Sequence, residues 1–162
     1  LNISLVNINT LVERMLKKLT PLADEKNIEI VYESMRDIEA EVDDIKLTQV
    51  VTNLVENAIK YNVPGGKVIV TLNADIDSFF LRIQDTGIGI PEEHQKNIFQ
   101  RFYRVDKARS RETGGTGLGL SIVDSIISSH GGQIKVVSKP VADGEKFGET
   151  VFTIKIPLKH KK

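Results

Sequence analysis

The chain has no cysteine and no tryptophan, and only five prolines in 162 residues. Without cysteine there is no disulfide framework, thiolate metal site or thiol nucleophile. No apolar stretch approaches the ~20 residues that a membrane helix needs, and Leu1-Asn-Ile-Ser does not begin a signal-peptide pattern. Net charge is also missing: 22 basic side chains balance 22 acidic ones, so no global positive field argues for nucleic acid. What remains is ordinary for a globular protein, at 40% hydrophobic and 27% charged. The length suits one domain around a single core.

Periodicity supplies the elements. Ile3 to Ile8 alternates as a short strand, and Asn9 or Thr10 is placed to cap a helix running to about Ala23. Thr20-Pro21 is expected to end or kink that helix. Residues 28–32 and 39–42 read as strands, and Asp43 or Asp44 caps a second helix that ends near Asn62-Val-Pro-Gly-Gly66. Residues 67–73 and 78–84 read as antiparallel neighbours. Pro91 opens a short helix with Glu92 and Glu93 in its first turn. Leu118 to about His130 is helical and is stopped by Gly131-Gly132. Residues 133–138 and 150–156 form a closing hairpin. The fold class is α+β: a two-layer sandwich whose mixed, mostly antiparallel sheet is covered on one face by about three helices.

The second helix carries polar residues that a core does not require. Asn53, Asn57, Lys60 and Tyr61 stand at i, i+4, i+7 and i+8 and share one side. Leu47, Val50, Val51, Leu54, Ala58 and Ile59 fall mainly on the neighbouring side. Amide oxygens can ligate a hard cation, an ammonium can meet phosphate, and a phenol ring can cover a base. An amphipathic helix with a solvated side explains the same pattern. Two glycine motifs follow, Asp85-Thr-Gly87-Ile88-Gly89-Ile90 and Gly115-Thr116-Gly117-Leu118-Gly119-Leu120, with Phe99-Gln-Arg101-Phe102-Tyr103-Arg104 between them. Neither a P-loop nor the protein-kinase glycine loop is present.

These four blocks, in this order, resemble the catalytic ATP-binding domain of bacterial sensor histidine kinases, within the superfamily of gyrase, HSP90 and MutL ATPases. The N box corresponds to Asn53–Tyr61, the G1 box to Asp85–Ile90, the F box to Phe99–Phe102 and the G2 box to Gly115–Leu120. The resemblance runs from about Val6 to Pro157 and implies the Bergerat ATP-binding fold. It implies one domain over 1–162, with its core at about 6–157, an ATP lid at 91–116 and a frayed tail at 158–162.

The resemblance also implies roles, with ATP and magnesium as cofactors. Asn57 becomes the magnesium ligand, and Asn53 orients metal-bound water or phosphate. The related ATPases carry a general-base glutamate at the position of Asn53. An amide cannot do that work, which favours phosphoryl transfer to a partner over hydrolysis. Lys60 and Arg104 meet phosphate, and Tyr61 packs beside the nucleotide or is simply a core-edge aromatic. Asp85 accepts from the adenine amine, or else belongs to an ordinary strand-end turn. Gly87 and Gly89 let the backbone approach the base, and Ile88 and Ile90 line its pocket. The Gly115–Gly119 amides, with Thr116 and Leu118, lie at a helix start suited to phosphate. Glu56 either touches metal-bound water or is solvated, and Lys107, Arg109 and Arg111 read as solvated loop charge.

The family's acceptor histidine sits on a helical dimerisation domain. His94, His130 and His160 all lack its Ser/Asn-His-Glu/Asp setting, so no catalytic histidine is assigned, and His130 is given a structural place at the end of its helix. The chain is therefore expected to be an excised, monomeric, cytoplasmic portion of a membrane-anchored bacterial sensor. Its partners would be that helical domain and, through the full kinase, a response regulator. The alternatives are an anti-sigma-factor-type serine kinase and a degenerate nucleotide-sensing module. One departure from the family is the long loop Pro140–Gly148, with Glu149 where glycine is common, which leaves any nucleotide contact of Thr150 open.

Overall fold

A computed structural model describes residues 1–101, 103 and 119–161. Among these residues the order is β1 (Ile3–Asn7), α1 (Ile8–Glu25), β2 (Glu29–Ser34), β3 (Glu39–Asp43), α2 (Asp44–Lys60), β4 (Lys67–Ala74) and β5 (Ser78–Asp85). Then follow α3 (Glu92–Gln95), α4 (Gly119–Ser129), β6 (Gln133–Lys139) and β7 (Glu149–Pro157).

The sheet order is β2-β4-β5-β7-β6. β2 runs parallel to β4, and every other pair in the sheet is antiparallel. Strand alternation explains its single covered face. Val68, Val70, Leu72, Phe79, Leu81, Ile83, Phe152, Ile154 and Ile156 are buried, while Arg82, Lys135 and Lys155 on the other face are exposed. On the covered side α2 lies between α1 and α4 and packs against both. Its fully buried stripe of Leu47, Val50, Val51, Leu54 and Val55 makes it the centre of the core. β1 and β3 form a separate antiparallel pair, so the expected single sheet is divided in two.

Three local expectations change. Asn7, not Asn9 or Thr10, caps α1, its Oδ1 accepting from the Thr10 amide at 2.9 Å. Asn9 is buried instead. It donates to Ser34 Oγ and Arg36 O and accepts from the Ile38 amide, which ties α1 to the β2–β3 connection. Pro21 does not end α1, which continues to Glu25. Pro21 and Lys17, whose carbonyl loses a donor, both face solvent, where water replaces the bond. The buried stripe Leu16, Leu19 and Ala23 holds the helix together past the proline. Finally, the terminal segment is tied down. The Leu158 amide donates to Asp77 O, Leu158 O accepts from the Glu41 amide, and the His160 amide donates to Glu41 Oε1.

Asp43 caps α2 as expected, its Oδ1 accepting from the Lys46 amide at 3.0 Å. Desolvation is the largest single influence on its carboxyl and raises its pKa, but the Asn2 and Lys46 amides together outweigh that and hold it below the usual range. His130, 2% exposed, anchors the same corner. Its Nδ1–H donates to Ile126 O at 2.8 Å, and its Nε2 accepts from the Asp43 amide at 3.0 Å. It therefore joins the end of α4 to the start of α2, the structural role expected at the end of its helix. His130→Phe keeps much of the volume but strands the Asp43 amide. Denaturant unfolding is expected to show a loss of ~1–3 kcal/mol; unchanged stability would contradict the bridging role.

Candidate functional site

The site grows from the C-terminal end of α2. Asn53, Glu56, Asn57, Lys60 and Tyr61 are all half-buried along the helix rim. Asn53 and Asn57 are one turn apart, ~6 Å along the axis. Among the described residues the side chains of Asn53, Asn57 and Lys60 make no hydrogen bond or ion pair. That pattern suits groups held ready for something else, because a half-buried amide normally finds a partner. The core explanation accounts for the stripe beside them but not for this edge.

α2 ends against the segment that leaves β5. Tyr61 O accepts from the Ile88 amide at 3.1 Å. Asn62, 2% exposed, fixes the corner. Its Nδ2 donates to Lys67 O at 2.9 Å, while its Oδ1 accepts from the Val63 amide and from Thr86 Oγ1. Thr86 Oγ1 in turn accepts from the Lys67 amide. The sequence marks Asn62 only as part of a turn and Thr86 only as a position within the Asp85–Ile90 motif. Their pairing across the fold has no sequence signature.

Gly87 and Gly89 are required by close approach. A Cβ on Gly87 would stand 2.4 Å from Tyr61 O and 2.8 Å from Asp85 Oδ1. Gly89 has φ of +76°, and its Cβ would meet Lys139 O at 2.3 Å. Between them Ile88 is half-buried, and Ile90 is half-buried against the core. The Ile90 amide donates to Ser138 Oγ at 2.7 Å. Gln95 Nε2 donates to both Ile90 O and Ser138 O. Ser138 and Gln95 thus fix the far end of the turn, and no motif announced either.

Asp85 is the site's electrostatic centre. It ends β5, opposite Thr150, and is 6% exposed. Among the described residues its carboxyl has one hydrogen bond, from the Gly87 amide to Oδ1 at 2.9 Å. Desolvation pushes its carboxyl up to about 7, with the Gly87 amide opposing and the Glu149 charge reinforcing the rise. A carboxylate buried with one donor has room for another. Thr150 does not supply it: its buried hydroxyl is paired with Ser138 Oγ at 2.7 Å.

α4 begins at Gly119, where an added Cβ would meet no described atom within 4 Å. Phe99 packs edge-on against Phe152, anchoring the segment after α3 as expected of the F box. His94 pairs with the Tyr103 hydroxyl and approaches Glu93. Phe102, Arg104, Lys107, Arg109, Arg111, Gly115, Thr116, Gly117 and Leu118 lie outside the described residues.

A family model described as "Histidine kinase-, DNA gyrase B-, and HSP90-like ATPase" matches residues 42–160. The chain belongs to this ATPase family. The match takes in β4 to β7 and the α2 edge, so the ATPase domain contains both halves of the site. Among relatives, the sensor histidine kinase WalK of Bacillus subtilis is 41% identical over 126 residues, covering 76% of this chain and 20% of WalK. RppB of Synechocystis is 39% identical, covering 93% of this chain and 32% of RppB. The chain thus spans a fifth to a third of these relatives. The catalytic domain of histidine kinase ThkA superposes with a TM-score of 0.83 at 27% identity, over 99% of this chain and 100% of that one. The mycobacterial sensor histidine kinase MprB gives 0.82 at 30%, over 98% and 100%. The α+β sandwich is that of histidine kinase catalytic domains.

The raised pKa of Asp85 makes stability depend on pH. Below ~4 the carboxyl is protonated in both folded and unfolded chains and contributes nothing. Between there and about 7 the folded chain keeps a proton that the unfolded chain has lost. Stability therefore falls as pH rises through this window and levels off above it. Asp85→Asn removes the penalty, so at pH 8 the variant is expected to be more stable by ~1–4 kcal/mol. The gain should vanish near pH 4. Thermal melts showing a loss at pH 8 would contradict this.

Proposed function

We propose that this ATPase domain is the catalytic part of a sensor histidine kinase, holding ATP with magnesium so that the γ-phosphoryl group can reach a histidine on a separate helical domain. The observation that carries the reading is Asp85, buried at the end of β5 with a single amide donor among the described residues. An exocyclic amine of adenine is the donor such a carboxylate lacks. It would distinguish adenine from guanine, whose carbonyl at that position would face the negative charge.

Ile88 and Ile90 give the base an apolar wall, and Tyr61 packs at its edge. Further along α2, Lys60 meets phosphate. The donor set at Asn57 and Asn53 fits magnesium: neutral amide oxygens add no repulsion to a triphosphate, and the ion keeps water and phosphate in its shell. Among the described residues no cluster of three or more His, Cys, Asp or Glu offers a different cation site. Bound magnesium would neutralise charge while a bond forms from phosphorus to the acceptor imidazole and the bond to the ADP oxygen breaks. Asn53 cannot take a proton from water, which favours transfer over hydrolysis. Arg104, Gly115, Thr116, Gly117, Leu118 and Gly119 are assigned to the phosphates by resemblance, and Glu56 borders the set on the side of the metal-bound water.

Two neighbours support this reading. Histidine kinase ShkA was solved full-length in complex with AMPPNP, and this chain superposes on it with a TM-score of 0.79 at 28% identity, over 99% of this chain and 32% of ShkA. ThkA was solved in complex with the response regulator protein TrrA. By extension the partners here are a helical phosphoacceptor domain and, through it, a response regulator, on the cytoplasmic side of a membrane-anchored parent. No helix among the described residues is long and apolar enough to cross a membrane.

Calorimetric titration with ADP, with and without magnesium, tests the division of labour. Asp85→Asn is expected to weaken binding by ~10–100-fold in both conditions. Asn57→Ala should remove chiefly the increment that magnesium adds. Equal losses for Asn57→Ala in both conditions would refute its metal role, and undiminished binding by Asp85→Asn would refute base recognition.

A further inference from the structure

The loop between β6 and β7 is the part of the molecule that the family resemblance explains least. Residues 140–147 are exposed, so apolar burial does not hold them in place. Backbone contacts do. The Gly148 amide donates to Gly87 O at 2.7 Å, and the Val141 amide donates to Ile88 O at 2.9 Å. On the opposite side the Ile88 amide donates to Tyr61 O. The Gly87–Ile88 backbone is therefore held between the end of α2 and this loop.

The fit is close. A Cβ on Gly148 would lie 2.6 Å from Lys139 O, 2.8 Å from Gly87 O and 2.8 Å from the Val141 nitrogen. Gly89 meets Lys139 just as closely from the other side. Within the loop the Glu145 amide donates to Ala142 O, closing a turn. Lys146 Nζ reaches the turn after α2, within 3.3 Å of where a Gly65 Cβ would stand. At the loop's base Gln84 Nε2 donates to Glu149 Oε1 at 2.6 Å, joining β5 to β7 beside Asp85.

We propose that the 140–148 loop is a positioning element for base recognition, with the Gly148 and Val141 amides holding the Gly87–Ile88 carbonyls so that the Gly87 amide stays on Asp85. This role requires no contact between the loop and the base. The loop fixes the one donor that orients the carboxylate, and thereby the direction of the free oxygen offered to the base. The proposal rests on Asp85 recognising adenine.

The test compares ATP with inosine triphosphate, which carries a carbonyl where adenine has its amine, on wild type, Gly148→Ala and Val141→Pro. Wild type should prefer ATP by at least ~10-fold. Each variant should lose ~5–10-fold in ATP affinity while inosine triphosphate changes less than ~2-fold, so that the preference narrows. General damage to the fold would weaken both nucleotides alike, and an unchanged preference in a folded variant would overturn the proposal. A wild type indifferent to the base would instead remove the underlying reading of Asp85, and the loop's role with it. Should both variants unfold, hydrogen exchange on wild type decides. The Val141 and Gly148 amides should slow together with Ile88 on adding ADP, and absence of that slowing would overturn the loop's role.

Discussion

Keeping an aspartate under the surface with one amide for company is unfavourable, and much of the local architecture follows from doing so at Asp85. The strand that carries it is flanked by β4 and β7 and has its alternate residues Phe79, Leu81 and Ile83 in the core. The carboxyl therefore cannot swing out to water without disturbing rigid neighbours. Its single donor among the described residues is the Gly87 amide, whose position depends on a backbone held from two sides. Burial raises the proton affinity of the free carboxyl, and a ligand amine would relieve the same penalty. Instability and recognition thus have one physical origin.

α2 links this centre to the rest of the fold. Its apolar stripe is the middle of the core, while the rim bearing Asn53, Asn57, Lys60 and Tyr61 faces the site. Packing against α1 and α4 fixes the rotation of the helix, and that rotation decides which way the rim points. The Asp43 cap and the His130 bridge set its start, and Asn62 sets its end. A helix so restrained keeps Asn53 and Asn57 at a fixed height on the rim, which the metal role proposed for Asn57 requires.

Much of this was legible in the sequence because the signals were local. Strand alternation and helical spacing located the elements within a residue or two, and Asp43 and Pro91 marked helix starts. The motif blocks located Asp85, Gly87 and Gly89, and the structure shows why Gly87 and Gly89 must lack side chains. What was hidden depends on contacts distant in sequence. Asn9 looked like a cap because an asparagine near a helix start usually is one. Only the β2–β3 connection folding over it gives its amide three partners. Pro21 is expected to end or kink the helix, and the exposed setting that lets α1 continue through it cannot be read from the chain. Asn62, Ser138, Gln95 and Gly148 support the site through bonds to residues as far as 61 positions away, and such bonds leave no periodic trace.

The loop that departs most from the family pattern is tied most directly to the segment that defines the family's site. Its side chains face solvent while its amides serve the turn beside Asp85, so sequence variation there is compatible with a constant backbone role. The most direct measurement on the molecule is an NMR titration of the Asp85 carboxyl carbon, in the free chain and saturated with ADP. A midpoint of about 7 is expected without ligand, falling by at least ~2 units once adenine supplies the missing donor. A free-chain midpoint near the ordinary ~4, or one that ADP leaves unmoved, would contradict the role given to this residue.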